Sequence, residues 1–254
     1  MLLVITQENI YMEIGLTDRQ IKLLEAIIRE YSESSEPVGS KTVVAKYSIK
    51  ASPATIRNEM AALLEDGFLE MMHTSSGRIP TARAFKYFIE QIMEEDELPV
   101  LQEVAVKQRL WPQRFEFEKL LRNAVLSLSE TTRNMALALT EDGFITHAGS
   151  VHMLDNTEFL DIDVTRSALN LADSFDDLVR IFTNLSKDGD VNVAVGEEIA
   201  YPNMEQAALV FSKFRSGNKV GYISVLGPSR MKYSFVVPSV RYTKNLLEEF
   251  SGNW

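Results

Sequence analysis

The chain has 254 residues, and its 45% apolar and 24% charged residues match ordinary globular usage, which excludes a disordered or fibrous protein. Its length predicts two small domains. Cysteine is absent, so disulfides, thiolate catalysis and cysteine-ligated metals are excluded. With no signal-peptide pattern and no apolar run of membrane-spanning length, we expect a cytoplasmic protein without membrane contact.

The charge is unevenly distributed along the chain. Twenty-six basic and thirty-six acidic residues give a net charge of −10, yet residues 38–88 hold seven basic and four acidic side chains. This stretch is therefore +3 and the remainder of the chain is −13. A basic module on an acidic body is typical of a protein with one nucleic-acid-binding face. On charge alone, a chance fluctuation explains the stretch equally well.

Composition also predicts the domain boundaries. Residues 1–15 are expected to form an N-terminal extension. The acidic run 94–97 precedes Pro99, a combination that ends a helix and solvates a hinge. We therefore predict a first domain over residues 16–97, a linker over 98–114 and a second domain over 115–254.

The first domain begins with three predicted helices. Thr17 opens a capping-box pattern at the start of an amphipathic helix. Ser40 is predicted to cap a second, short helix. Ser52 followed by Pro53 marks the start of the third helix, and Gly67 marks its end.

A strand, a polar loop and a second strand are predicted after the third helix. Residues 68–71 have strand character, residues 73–78 (HTSSGR) form a loop, and Ile79 returns towards the fold before Thr81 caps a further helix. Three helices followed by a strand–loop–strand are typical of a winged helix-turn-helix. In that fold the third helix enters the major groove of DNA, and the loop forms the wing.

The predicted third helix carries side chains that suit DNA. Ser52 and Thr55 offer hydroxyls beside the N-terminal amides, which favour phosphate oxygens. Asn58 can pair with adenine, and Arg57 with guanine or phosphate. In the competing interpretation Thr55 and Asn58 simply face solvent, and Arg57 pairs with a nearby carboxylate, either Glu59 or Glu65.

Four segments resemble the signature segments of the bacterial heat-inducible transcription repressor HrcA family. They occur in the family's order, and they are residues 36–42 (EPVGSKT), 52–60 (SPATIRNEM), 73–81 (HTSSGRIPT) and 221–233 (GYISVLGPSRMKY). The match is dense over residues 16–97 and looser over about 115–250.

The resemblance implies an α+β protein with an N-terminal winged helix and a GAF-like regulatory domain. It also implies a homodimeric repressor of chaperone genes that binds double-stranded DNA at an inverted repeat, the CIRCE element. Such a repressor is supported by the chaperonin GroEL, released on heat stress and nucleoid-associated when bound. The candidate DNA contacts in the matching segments are Ser40, Lys41, Thr42, Ser52, Thr55, Arg57, Asn58, His73, Thr74, Ser75 and Arg78.

The sequence departs from the family in one large respect. The family has a dimerising domain inserted within its GAF-like domain. Here residues 141–143 (EDG) turn directly into residues 144–151, which resemble a much later family segment. Roughly eighty to a hundred residues, about one small domain, are missing. We therefore expect a reduced GAF-like domain without the family's dimerisation device.

The second domain is predicted to combine helices with a mostly antiparallel sheet. Predicted helices cover residues 115–130, 173–186 and 233–250, the last of them kinked or restarted at Pro238. Predicted strands cover residues 134–140, 144–151, 191–195, 207–214 and 219–226, with hairpin turns at 141–143 and 216–218.

The sequence contains no catalytic constellation, and we expect no enzyme activity, cofactor or metal site. The histidines lack metal-ligand spacing, and His147 and His152, five apart on a predicted strand, point to opposite faces. Asp161 and Asp163 fall on one face of a predicted strand, where a solvated edge is the simpler explanation and an enzyme with an accessory winged helix is the alternative. A further alternative is a regulator whose GAF-like domain senses a small ligand.

Overall fold

The computed structural model describes residues 15–47, 49–71, 77–187 and 190–250. The chain divides into two compact units after Met93, and buried apolar side chains form a core in each of them. The predicted N-terminal extension, residues 1–15, lies outside the described residues apart from Gly15.

The described part of the first unit opens with helices α1 (Asp18–Ser34), α2 (Ser40–Lys46) and α3 (Pro53–Glu65). Thr17 forms the predicted capping box with Gln20 at the start of α1. The prediction that Ser40 caps α2 is wrong. Gly39 takes the extended cap conformation, so Ser40 is already the first helical residue and makes no capping hydrogen bond.

The two strands that flank the predicted wing follow α3, and the loop residues 72–76 between them lie outside the described residues. Strands β1 (Leu69–Glu70) and β2 (Ile79–Pro80) pair antiparallel. Thr81 caps helix α4 (Ala82–Tyr87), which continues as a π-helical turn over Phe88–Ile92. The core beneath these elements is apolar and includes Leu24, Ile27, Ile56, Leu63, Phe68 and Phe85.

The described part of the second unit contains a five-stranded antiparallel sheet with the order β4-β3-β7-β6-β5. Its strands are β3 (Met135–Thr140), β4 (Ile145–Ala148), β5 (Asn192–Val195), β6 (Ala207–Ser216) and β7 (Lys219–Pro228). Both predicted hairpins are present, β3 with β4 and β6 with β7. The predicted strand 144–151 is too long, because Gly149 adopts φ +77° and a 3-10 helix follows over Ser150–Asp155.

Helices accompany this sheet, and together they confirm the predicted α+β class. They are α5 (Val100–Leu110), α6 (Phe117–Thr132), α7 (Ile162–Asp173), α8 (Phe175–Leu185) and α9 (Tyr233–Glu249), with Pro238 inside α9. Met135, Leu137 and Leu139 of β3 face one core, which α7 and α8 also line. The alternate residues Ala136 and Ala138 are buried on the opposite face of the sheet.

The predicted helix 173–186 is confirmed by α8, which begins two residues later because Ser174 takes an extended conformation and caps it. Two other expectations for the second unit are corrected. Residues 98–114, expected to link the domains, contain α5 with Val106 and Leu110 buried. Asp161 caps α7 and accepts a hydrogen bond from Asp163 N at 2.8 Å, so these aspartates do not share a strand face.

Candidate nucleic-acid interface

Helix α3 begins with a tightly built N-terminus. Ser52 Oγ accepts a hydrogen bond from Thr55 N at 3.1 Å and lies 2.9 Å from Thr55 Oγ1, while Pro53 occupies the first helical position. The proline costs nothing there, since its missing N–H would have no partner within the helix. The two hydroxyls predicted as DNA contacts therefore also hold the start of the helix in place.

The outward face of α3 carries the predicted base-reading side chains. Arg57 and Asn58 are exposed, whereas Ile56, Met60 and Leu63 of the same helix are buried. Among the described residues Arg57 makes no ion pair. Glu59, one of its two proposed competing partners, instead accepts a hydrogen bond from Arg19 Nε at 2.8 Å. The Arg57 guanidinium thus remains available for a ligand.

Helix α2 and the turn after it supply further positive charge. Lys41 and Lys50 are exposed, and within the described chain neither makes an ion pair. Ser40 and Thr42 are half-buried beside Lys41. Lys50 lies in the turn between α2 and α3 and is a further exposed cation that the sequence interpretation did not include among the candidate contacts. Lys41, Lys50 and Arg57 are hereafter called the basic triad.

Lys46 contributes little to this positive charge because its ammonium group is neutralised by an ion pair within the first unit. Its Nζ lies 2.6 Å from Oε1 of Glu30, a buried carboxylate of α1. The Tyr47 hydroxyl donates to Glu30 Oε2 at 3.4 Å. Burial and the nearby Glu30 and Glu33 carboxylates raise the pKa of the Tyr47 phenol, which keeps it a neutral donor.

The wing is described only at its base. His73, Thr74 and Ser75, the predicted wing contacts, lie outside the described residues. Arg78 exchanges two backbone hydrogen bonds with Val38, at 2.8 and 2.9 Å, and its side chain is half-buried. The base of the wing is therefore hydrogen-bonded to the segment that precedes α2.

Gly77 allows this close approach of the wing to the residues before α2. A Cβ at position 77 would lie 2.5 Å from the Val38 backbone and 2.7 Å from that of Pro37. We expect Gly77→Ala to destabilise the first unit by about 1–3 kcal/mol, because backbone must move to relieve the overlap. Gly15→Ala is the matched control in the same unit, because a Cβ at position 15 meets no atom within 4 Å. Urea unfolding of both variants measures the difference, and an unchanged midpoint for Gly77→Ala would contradict the packing argument.

Arg83 closes the other end of α3. Its Nη1 donates to the Asp66 carbonyl at 3.0 Å, and its guanidinium lies 4.7 Å from the centre of the Phe68 ring. A cation at a helix C-terminus offsets the negative end of the helix dipole. Arg83 of α4 therefore has a structural role, whereas Arg57 of α3 is exposed.

The described residues lack features that other protein classes require. They contain no cluster of three or more metal-ligating side chains and no helix suited to crossing a bilayer. His147 pairs with Asp173 at 3.2 Å, while His152 lies in a 3-10 helix and not on the predicted strand. A cleft between α5, α6 and α9 has a cavity volume of about 10 Å³, room for about one water molecule, so it does not support a ligand-sensing role.

The fold and the exposed face of α3 define a winged helix-turn-helix DNA-binding protein. Two family models match the chain: "Winged helix-turn-helix transcription repressor, HrcA DNA-binding" over residues 15–94, and "HrcA protein C terminal domain" over residues 83–237. The chain therefore belongs to the HrcA family of winged-helix transcription repressors.

Individual relatives agree with this assignment. The heat-inducible transcription repressors HrcA of Carboxydothermus hydrogenoformans and Pelotomaculum thermopropionicum are 25% and 26% identical, over 94% and 91% of this chain and 99% and 96% of theirs. That of Halalkalibacterium halodurans is 37% identical over 56% of this chain and 41% of its own. A crystal structure of a hypothetical protein at 2.2 Å has a TM-score of 0.73 at 20% identity, covering 92% of this chain and 97% of that one, and shares the fold.

The relatives are longer than this chain. The alignment with the Carboxydothermus hydrogenoformans protein spans 339 positions, while 94% of this chain is about 239 residues. About 100 positions of that relative therefore have no counterpart here. This difference supports the predicted loss of about one small domain.

Proposed function

We propose that this chain represses heat-shock (chaperone) genes by binding a CIRCE-like inverted repeat as a homodimer. The outer surface of α3 gives the strongest support, because Arg57 and Asn58 are exposed there while the apolar face of the helix is buried in the core. In a winged helix, this is the helix that enters the major groove.

Two-fold symmetry is the physical basis of the proposed operator. Two copies related by a dyad place two α3 helices in successive major grooves, and an inverted repeat mirrors that symmetry. Arg57 and Asn58 would read base edges, while Lys41 and Lys50 would neutralise phosphates. The operator-bound dimer would then occlude the promoter.

Release on heating and support by the chaperonin GroEL belong to the same proposal. If the binding-competent fold is only marginally stable near the stress temperature, a rise of a few degrees lowers its population enough to release the operator. Adding GroEL to the repressor should raise the fraction of operator bound at the higher temperature. An unchanged fraction would contradict the chaperonin part alone.

A gel-shift titration tests the core of the proposal. The full chain is titrated into an inverted-repeat operator and into a scrambled sequence of the same composition, and the mass of the complex is measured. We expect specific binding about 10³-fold tighter or more, with two copies per operator. Equal binding to both duplexes would refute sequence-specific repression.

Arg57→Ala should weaken operator binding by about 1–3 kcal/mol and relax sequence preference, if the guanidinium reads a base. Arg29→Ala is a matched control, because Arg29 is an exposed arginine of α1 that pairs with Glu25 at 2.8 Å. The two variants are compared by titration on operator and random DNA. An equal loss on both duplexes would reassign Arg57 to a phosphate.

A further inference from the structure

The outer face of α5 is apolar and exposed. Leu101, Val104 and Trp111 are 84%, 45% and 50% exposed, and Ala105 and Gln108 between them are also exposed. Their spacing of three and four residues places them in one line along the helix and the 3-10 turn that continues it. These five residues are hereafter called the α5 stripe.

The opposite face of α5 fixes the helix to its own unit. Val106 and Leu110 are buried. Lys107 Nζ lies 2.7 Å from Glu249 Oε1 of α9. Burial and a side-chain ion pair hold the helix from one side, so the α5 stripe has a defined orientation and is not exposed by fraying.

We propose that the α5 stripe is the surface through which two copies of this chain dimerise. The helices would cross antiparallel about a two-fold axis near the middle of α5. Leu101 of one copy would then face Trp111 of the other, and Val104 would lie beside Gln108. The inference rests on the proposed function, because an inverted repeat requires two copies. It also explains how this chain could dimerise although it lacks about 100 positions that are present in the longer Carboxydothermus hydrogenoformans relative.

Charge at the two ends of the stripe favours a second copy in this orientation. Exposed Glu97 precedes the amino-terminal end of α5. Arg114 lies beyond its carboxyl-terminal end, with its guanidinium 4.1 Å from the centre of the Trp111 ring. Antiparallel pairing brings Glu97 of each copy towards Arg114 of the other, whereas parallel pairing brings like charges together. The surface is therefore self-complementary in charge as well as apolar.

A second group of exposed apolar side chains is less suited to self-association. Leu160, Ile162 and Leu169 are 68%, 65% and 38% exposed. Asp161 and Asp163 are exposed among them. Two copies meeting here would bring carboxylates of the same sign together, which disfavours the contact. This group supplies a control for the experiment.

Sedimentation of the full chain without DNA tests the proposal. We expect a dimer for the wild type, and we expect Leu101→Glu to raise its dissociation constant about 30-fold or more, as for the loss of an interface anchor. Leu160→Glu places the same charge at another exposed leucine and should leave the dissociation constant unchanged. A monomeric wild type, or a Leu101→Glu variant that dimerises normally, would overturn the proposal.

A cross-link gives an independent measurement. The chain has no cysteine, so Val104→Cys introduces a unique thiol close to the proposed axis. A short bismaleimide should convert Val104→Cys to covalent dimer and leave Leu160→Cys monomeric. The reverse result would place the interface elsewhere on the chain.

Gel shifts on a single half-site separate the dimer-interface proposal from the proposed function. Leu101→Glu should still bind the half-site, whereas a wild-type dimer that prefers no operator would refute the proposed function and leave the interface intact.

Discussion

Replacing Arg230 with methionine is expected to lower the free energy of unfolding of the second unit by about 3–5 kcal/mol, as when one partner of a buried ion pair is removed. Arg230 Nε lies 2.6 Å from Glu158 Oε1, and Nη2 lies 3.1 Å from Oε2, so the pair is bidentate. The two side chains are 12% and 6% exposed. Methionine would leave the Glu158 carboxylate buried without a countercharge, and that desolvation cost dominates the loss.

Urea unfolding followed by tryptophan fluorescence measures this effect, since neither tryptophan lies in residues 1–93. Arg166→Met is the matched control: Arg166 pairs with Asp163 at 3.0 Å, but both side chains are about two-thirds exposed. Such a pair contributes about 0–1 kcal/mol.

The double variant Arg230→Met with Glu158→Leu separates the cost of the stranded charge from the value of the pair. It should recover most of the lost stability, because an apolar pair of similar volume often replaces a buried ion pair without loss. A single variant within about 1 kcal/mol of the wild type would show that water or other groups solvate Glu158.

The sequence identified the segment that contains Arg230 but not its partner. Residues 221–233 carry the fourth resemblance to the family, yet Glu158 lies 72 positions earlier in the chain. Nothing local in either segment specifies the contact, because it depends on how the 3-10 helix Thr157–Leu160 packs against the turn before α9. Contacts of this kind arise from tertiary structure.

Elements with local start signals were predicted well. Thr17, Ser52 and Thr81 each accept a backbone hydrogen bond at the start of the expected helix. The physical reason is that a cap satisfies an amide only two or three positions away, so the sequence alone contains the whole interaction. The hairpin β6–β7 followed from the same kind of local turn chemistry at Gly217, whose φ is +59°.

Predictions failed where one residue type serves two local structures. Asp161, Ile162 and Asp163 alternate as a strand does, but an aspartate before a helix is also a cap, and the apolar stripe of α7 favours the second use. Pro99 was interpreted as the end of a helix, whereas it stands at the cap of α5 and begins one.

The sequence predicted which side chains of the candidate site are exposed, but not which charged residues there form ion pairs. The pattern of α3 predicted which residues face outward, and Arg57 and Asn58 are indeed exposed. It could not show that Glu59 pairs with Arg19, forty positions earlier, or that Lys46 is held by Glu30. These two ion pairs determine which charges remain for a ligand, and only the packing of α1 against the later helices reveals them.

Operator binding should fall about 10³-fold or more between about 50 and 200 mM salt, if the proposed dimer neutralises six or more phosphates. The basic triad of Lys41, Lys50 and Arg57 supplies three exposed cations per copy, and none of them makes an ion pair with a described residue. The chain outside residues 38–88 has a net charge of −13 and repels DNA, so the attraction depends on these few side chains. The slope of log affinity against log salt is the measurement.

Substitution distinguishes a local basic face from overall charge. Lys41→Gln should reduce the slope by about one for each copy, because one phosphate contact fewer releases one counterion fewer. Lys187→Gln removes the same charge from an exposed site in the acidic second unit and should leave the slope unchanged. If both substitutions changed the slope equally, the protein would be responding to net charge, and α2 and α3 would no longer be favoured as the contact surface.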